Sequence, residues 1–258
     1  MYGRRVDALA AAAFHEYPTS GKLFDLLKLG RRGSLVSKNR NELWAEAIRS
    51  RRNEGVSHFA SLDTDVCPEA WWLDKLFGEL VRLQADLVSV VAGIKDDRGV
   101  TTTAVGYAHE PFGFARRLTM KEVVQLPETF CLRDLLEAGI ASEGQCLLAN
   151  TGCFLCDLRR PWVTATHPPV FGADLPPEGL RTLRVYFTVL DRIRLVDGEP
   201  MVDVAGEDWN FSRMLANEGA SVWATRKVYA EHAGDATWPN NKAWGRLERD
   251  EDALKPSK

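Results

Sequence analysis

The apolar positions change period along the chain. Residues 5 to 15 are alanine-rich with helical spacing. Asn41 to Arg51 predict a helix with Leu43, Ala47 and Ile48 on one side, stopped by Gly55. His58 to Leu62 predict a strand. Pro68 is expected to open a helix in which Trp72, Leu76 and Leu80 recur every four residues. Asp86 to Val91, "DLVSVV", predict a second apolar strand, and Thr101 to Tyr107 a third. Leu132 to Ala138 predict a short helix, and Cys146 to Cys156 a strand interrupted at Gly152. Glu207 to Gly219 predict a helix carrying Phe211, Met214 and Leu215, with Gly219 as its stop, and Ala220 to Ala230 a last strand. Helices alternating with apolar strands predict an α/β fold around a parallel sheet. "THPPVFGADLPPEG", 166 to 179, reads as a loop, and the chain after Lys242 as a polar, partly disordered tail.

Composition narrows the class. A chain of 258 residues with 45% hydrophobic and 27% charged positions has material for a full core. Its longest apolar runs, such as Leu87 to Ala92, are too short to span a bilayer, and the run Ala8 to Phe14 has no small-residue cleavage site after it. No membrane insertion and a cytoplasmic location are expected. The net charge of -3 opposes indiscriminate nucleic-acid binding. Arg31 and Arg32, Arg49 to Arg52, and Arg116 and Arg117 read as solvated faces. Five cysteines are scattered; Cys153 and Cys156 lie three apart on a predicted strand, point to opposite faces, and read as buried thiols.

The candidate chemistry starts at Asp63 and Asp65 in "HFASLDTDVCPEAWW", directly after a predicted strand. Ligands of open α/β sheets bind beyond the carboxyl ends of strands. Two carboxylates one residue apart suit Mg²⁺ or Mn²⁺ shared with a substrate diphosphate. The alternative is a turn with a helix cap. A second acidic pair, Glu207 and Asp208, opens a predicted helix, where the dipole alone would also favour it. His232 follows the last strand, and imidazole is a suitable further ligand for Mn²⁺.

The order "LDTDV", "NTGCFLCD", "GEDWNFSRMLANEG", "EHAG" resembles the GT-A nucleotide-sugar glycosyltransferases of D-x-D type, over roughly Ser37 to Gly234. The resemblance implies a GT-A Rossmann-like, mixed but mainly parallel sheet flanked by helices. It also implies one domain, 1–242, with a nucleotide-sugar half at 1–110, an acceptor half at 111–242 and a tail at 243–258. By resemblance, Asp65 and His232 are metal ligands, and Asp63 contacts the ribose or the metal. Asp208 resembles the base of inverting members, with Glu207 supporting it or binding acceptor. Arg40 and Asn41 in "SKNRN" resemble the pair that approaches the nucleotide, with Lys38 beside them. Lys95 and Gly152 join the donor side. The family opens with an apolar strand, whereas Met1-Tyr2-Gly3 resembles only the end of one, so that strand is expected to be missing or replaced. Tyr2 is the candidate for stacking on the base.

The implied reaction is metal-dependent transfer of a sugar from a UDP-sugar to a hydroxyl of a glycan, a small glycoside or, as in phage-type enzymes, a hydroxymethylated DNA base. In the DNA case Arg49 to Arg52, Arg116 and Arg117 would meet the backbone. E-D-x-x-F favours inversion; under retention Asp208 would position the acceptor. The 166–179 loop and Asp235 to Trp244 are candidate closing segments, and Trp238 the best sugar platform. A nucleotidyltransferase, or a non-catalytic carbohydrate- or nucleic-acid-binding module, is the competing class.

Overall fold

The computed structural model describes Leu26 and residues 36–164, 185–234 and 236–250. The expected first helix, Tyr2, the missing-strand question and the 166–179 loop lie outside them.

Helix α1 (Val36–Glu54) leads to strand β1 (His58–Leu62), short strand β2 (Val66–Pro68), helix α2 (Trp72–Leu83) and strand β3 (Leu87–Val90). Then follow β4 (Val100–Tyr107), β5 (Ala115–Thr119), α3 (Met120–Val123), β6 (Thr129–Cys131), α4 (Leu132–Glu137), β7 (Gln145–Leu148) and β8 (Cys153–Asp157). The last part comprises β9 (Leu190–Val196), β10 (Glu199–Ala205), α5 (Glu207–Asn217), β11 (Val222–Thr225), β12 (Ala230–Ala233) and β13 (Thr237–Pro239).

The architecture is mixed α/β. The five-stranded central sheet runs β1-β8-β3-β11-β6. Among the described residues only β3 and β11 pair in parallel; β8 is antiparallel to both β1 and β3, and β6 to β11. This corrects the expected mainly parallel sheet. The reason is β8, which enters between two strands that precede it and runs against both.

Burial on both faces explains the unbroken apolar runs of β3 and β8, all of whose residues are buried. Alternation divides them. Phe154, Cys156 and Leu87 face a cluster with Trp44 of α1, Trp162, Phe187 and Phe211 of α5. Cys153, Leu155, Val88 and Val90 face Trp72, Leu76 and Leu80 of α2. The thiols of Cys153 and Cys156 thus point oppositely; both are free, and burial pushes them far up, away from reactive thiolate. The aromatic rings interlock, with Phe187 and Phe211 at 4.6 Å and Trp44 and Trp162 stacked at 5.9 Å. Gly55 and Gly219 end α1 and α5 at φ of 75° and 71°, which L side chains disfavour.

Other elements differ from expectation. Pro68 closes β2 instead of opening a helix: Glu69 N–H donates to Tyr229 O, and the helix starts only after Trp71, at φ 61°. The expected Ala220–Ala230 strand is split, because Arg226 N–H donates to Glu128 O and turns the chain out of the central sheet. β12 then forms a small sheet, β13-β12-β2. Strands β7 and β8 belong to different sheets, β7 joining β5-β4-β7. The chain after Lys242 is not a loose tail up to residue 250: Leu247 is buried and donates its N–H to Arg98 O, and Thr119 Oγ1 donates to Glu248 O. Among the described residues β9 and β10 pair only with each other, as a ribbon leading into α5. One face joins Arg192 and Arg194 to Asp203 and lays Arg192 over Phe112 at 4.7 Å; the other carries Ile193, Leu195, Val202 and Val204 into solvent. No helix among the described residues is long and apolar enough to cross a membrane.

Phe211→Ala should cost about 3–5 kcal/mol in denaturant unfolding, since its ring is 1% exposed amid five aromatic neighbours. Ile193→Thr, at a residue 74% exposed, should change stability by less than about 0.5 kcal/mol.

Candidate functional site

Asp63 follows β1 directly. Its N–H donates to Gly152 O at 2.6 Å, and its own carbonyl accepts from Val66 N–H at 3.2 Å, which closes a tight turn around Thr64. The carbonyl of Asp65 accepts from Ala233 N–H at 2.8 Å. The two aspartates are therefore stitched to the start of β8 on one side and to β12 on the other. Gly152 is confined by space: a Cβ there would lie 3.3 Å from Asp63 Oδ2 and 3.2 Å from Asn150 Oδ1. Asn150, which carried no distinguishing signal in the sequence, accepts from Gly152 N–H and donates to Val90 O, holding that loop against β3.

Two groups of charges flank this turn. On one side, Arg40 reaches from α1 and donates to Asp63 Oδ2 at 2.6 Å and Glu207 Oε1 at 2.8 Å, with Asp208 Oδ1 4.0 Å away. Arg40 is 5% exposed. Glu207 and Asp208 form the first turn of α5, where free backbone N–H groups favour carboxylates. On the other side, Lys95 Nζ donates to Asp65 Oδ2 at 2.6 Å, and His232 Nε2 stands 3.4 Å from the same oxygen. The β2–β12 register puts His232 opposite Val66, one residue beyond Asp65. His232 Nδ1 lies 2.6 Å from Gly93 O. A carbonyl only accepts, so Nδ1 carries a proton towards Gly93, which leaves Nε2 as the ring atom turned to Asp65.

Electrostatics separates the three aspartates. Burial raises Asp63, against the pull of Arg40. Burial and the neighbouring Glu207 raise Asp208, again against Arg40. Burial would also raise Asp65, but hydrogen bonds from His232 and Lys95 outweigh it and hold the carboxyl well below its usual range. Asp65 is thus a firm anion, whereas Asp208 is a carboxylate of raised basicity.

Most of the expected site residues converge here: Arg40, Asp63, Asp65, Lys95, Gly152, Glu207, Asp208 and His232. Asn41 does not. Its amide oxygen accepts from Tyr186 and Phe187 N–H, and its NH₂ donates to Ser37 and Phe187 carbonyls, so it clamps the 186–187 segment. Lys38 pairs weakly with Glu42 at 3.8 Å on the exposed side of α1. Tyr2 lies outside the described residues. Trp209 and Arg117 were missed as a pair. Trp209 donates to Thr102 O at 3.1 Å, and the Arg117 guanidinium lies 4.6 Å over its ring, next to Asp208 in sequence. Arg116, expected on a basic face, is buried against Glu122 at 2.8 Å. Adjacent strand residues face opposite ways, so "RR" divides between core and site.

A divalent cation fits part of this arrangement. Among the described residues no three His, Cys, Asp or Glu side chains form a ready-made metal cage. Asp65 Oδ2 and His232 Nε2 are suited to share one cation, with Nδ1 anchored on a carbonyl as metal-binding histidines usually are. Asp63 is turned to Arg40 instead. Two protein ligands suffice when substrate phosphates complete the shell. A separate open cleft of about 550 Å³, lined by Glu69, Lys75, Glu79, Lys227 and Tyr229 among others, contains none of these residues. Four of its charges are already paired, Lys75 with Glu69 at 2.7 Å and Lys227 with Glu79 at 2.8 Å. No family model, curated protein or solved structure matches the chain.

Because the folded protein raises Asp208, that group adds stability below the unfolded carboxylate value of about 3.9 and loses it as pH rises through the folded value. Asp208→Asn should therefore raise the Tm at pH 7, and the gain should close as pH falls below about 4 in differential scanning calorimetry.

Proposed function

We propose that the protein is a GT-A-type glycosyltransferase that moves a sugar from a nucleoside diphosphate donor, most simply UDP-linked, to an acceptor hydroxyl. The observation that carries this is the division of one site into two carboxylate centres joined by Asp63: Asp65 with His232 and Lys95, and Asp208 with Glu207 and Arg40. The first centre suits a diphosphate and its cation, the second an acceptor hydroxyl. The lone parallel pair β3 and β11, with the acidic turn at the carboxyl end of β1, is compatible with that fold.

In this mechanism the cation, held by Asp65 and His232, would neutralise charge on the departing diphosphate. Lys95 adds a second positive charge on the same side. Asp63, fixed by Arg40 and by the Gly152 backbone, stands between the two centres and would accept a hydrogen bond from a hydroxyl of the ribose or sugar. Asp208 accepts the proton of the attacking hydroxyl, leaving a protonated carboxyl, a neutral transferred glycoside and the nucleoside diphosphate. Its raised proton affinity favours that step. Glu207 keeps Arg40 in place, so that Arg40 does not close onto Asp208 and quench its basicity. Trp209, pinned to Thr102, fixes the first turn of α5.

Asp65→Ala should abolish Mn²⁺-dependent release of UDP from UDP-sugars; full residual activity would remove its role. Asp208→Asn should keep UDP binding in calorimetry and lower kcat by 10²-fold or more, the usual scale for a positioned base. In the native protein the acid limb of kcat/KM should fall at an apparent pKa above about 3.9, because Asp208 must be ionised to act. Pyrophosphate instead of UDP as product would replace glycosyl by nucleotidyl transfer. An acceptor screen should include glycans, small glycosides and hydroxymethylated DNA.

A further inference from the structure

The Asp65 carboxylate already has a cation on it. Lys95 Nζ stands 2.6 Å from Asp65 Oδ2, the same oxygen that His232 Nε2 faces at 3.4 Å. These two atoms are the donors suited to a divalent ion. An ion bonded to Oδ2 at about 2.1 Å would lie within a few ångströms of an ammonium on that oxygen. Two like charges would then share one oxygen, so lysine and metal compete for it.

The lysine is built to be there. Its loop, between β3 and β4, is pinned by Ile94 N–H to Val100 O at 2.8 Å and by Arg246 N–H to Asp97 O at 3.0 Å. Its stem passes over Gly234: a Cβ at that position would lie 3.2 Å from Lys95 Cδ and 3.2 Å from Trp238 Cζ3. The glycine that ends "EHAG" thus makes room for the stem between strand β12 and Trp238. The backbone is held, while the four-carbon stem keeps its own rotatable bonds.

We propose that Lys95 is an exchangeable counter-cation. In the donor-free protein it holds Asp65 in place beside His232. When a nucleoside diphosphate arrives, its phosphate oxygens draw the ammonium away, and Oδ2 becomes available to the metal. Metal and nucleotide then bind as a coupled pair, each tightening the other by the same factor. The inference rests on the nucleotide-sugar reading only in taking a nucleoside diphosphate as the ligand. It makes Lys95 a positioning residue that sets the order of assembly.

The test is Mn²⁺ binding to the full chain, followed by electron paramagnetic resonance and calorimetry, with and without UDP. Wild type should bind Mn²⁺ weakly alone and at least tenfold more tightly with UDP. Lys95→Gln should bind Mn²⁺ alone at least tenfold more tightly than wild type, with most of the UDP coupling lost. Lys95→Arg, which keeps a cation on Asp65, should behave as wild type. Equal Mn²⁺ affinity of wild type and Lys95→Gln, with UDP binding intact, overturns the exchange role alone. The same holds if Lys95→Arg matches Lys95→Gln. If no variant binds Mn²⁺ even with UDP present, the donor-site reading falls together with it.

Discussion

Everything near the site depends on one buried guanidinium. Arg40 joins α1 to the turn after β1 and to the first turn of α5 through Asp63 and Glu207. Without it, Asp63, Glu207 and Asp208 would confront one another in a partly dry environment. Like charges 4 Å apart repel by about 1 kcal/mol in water and about 4 kcal/mol at the effective dielectric of a protein surface. Removing one partner of such a buried set is far more costly than forming it is favourable, because the remaining charges are stranded. Arg40 therefore does not simply add stability. It makes this concentration of carboxylates tolerable, and it divides them unequally between paired and available.

The same economy of charge appears at the other end of the turn. Asp65 is exposed enough to be reached and is anionic because Lys95 and His232 both address it. Among the described residues Asp208 has no comparable side-chain donor: Arg40 stops 4.0 Å away, nearer to Glu207. Two aspartates of identical intrinsic acidity thus acquire opposite tendencies from their neighbours, one to hold a cation and one to take a proton. The backbone supplies the rigidity. Asp63 N–H and Asp65 O are each bonded to a strand, so the spacing of the carboxylates is set by sheet geometry and not by loop conformation.

Strand β8 is what brings the sheet and the site together. By running antiparallel between β1 and β3 it places Gly152 at the carboxyl end of β1, where a Cβ would crowd Asp63 Oδ2 at 3.3 Å and Asn150 Oδ1 at 3.2 Å. It also faces cores on both sides, which explains why its cysteines are inert despite their suggestive spacing. The ribbon β9–β10 contributes little to either core. Its inner face is neutralised by Arg192, Arg194 and Asp203, while its outer aliphatic residues remain in solvent.

Much was legible in the order of residues. The periodicity of Trp72, Leu76 and Leu80, the apolar runs of β1 and β3, and the glycine stops at 55 and 219 are local signals, written within a few residues of the element they define. So were Asp63 with Asp65, and Glu207 with Asp208, because a carboxylate pair at a strand end or helix start is itself a local pattern. His232 stood out for the same reason. The sequence by itself determined which residues carry charge at the ends of elements. Tertiary structure alone decided their partners: that Arg40 spans to residue 207, that Asn41 clamps a distant segment, that Arg116 is buried while Arg117 lies over Trp209, and that β8 runs antiparallel. Pairings across tens to hundreds of residues leave no periodicity in the chain. They follow from strand register and from the cost of leaving a buried charge alone, which only the folded molecule sets.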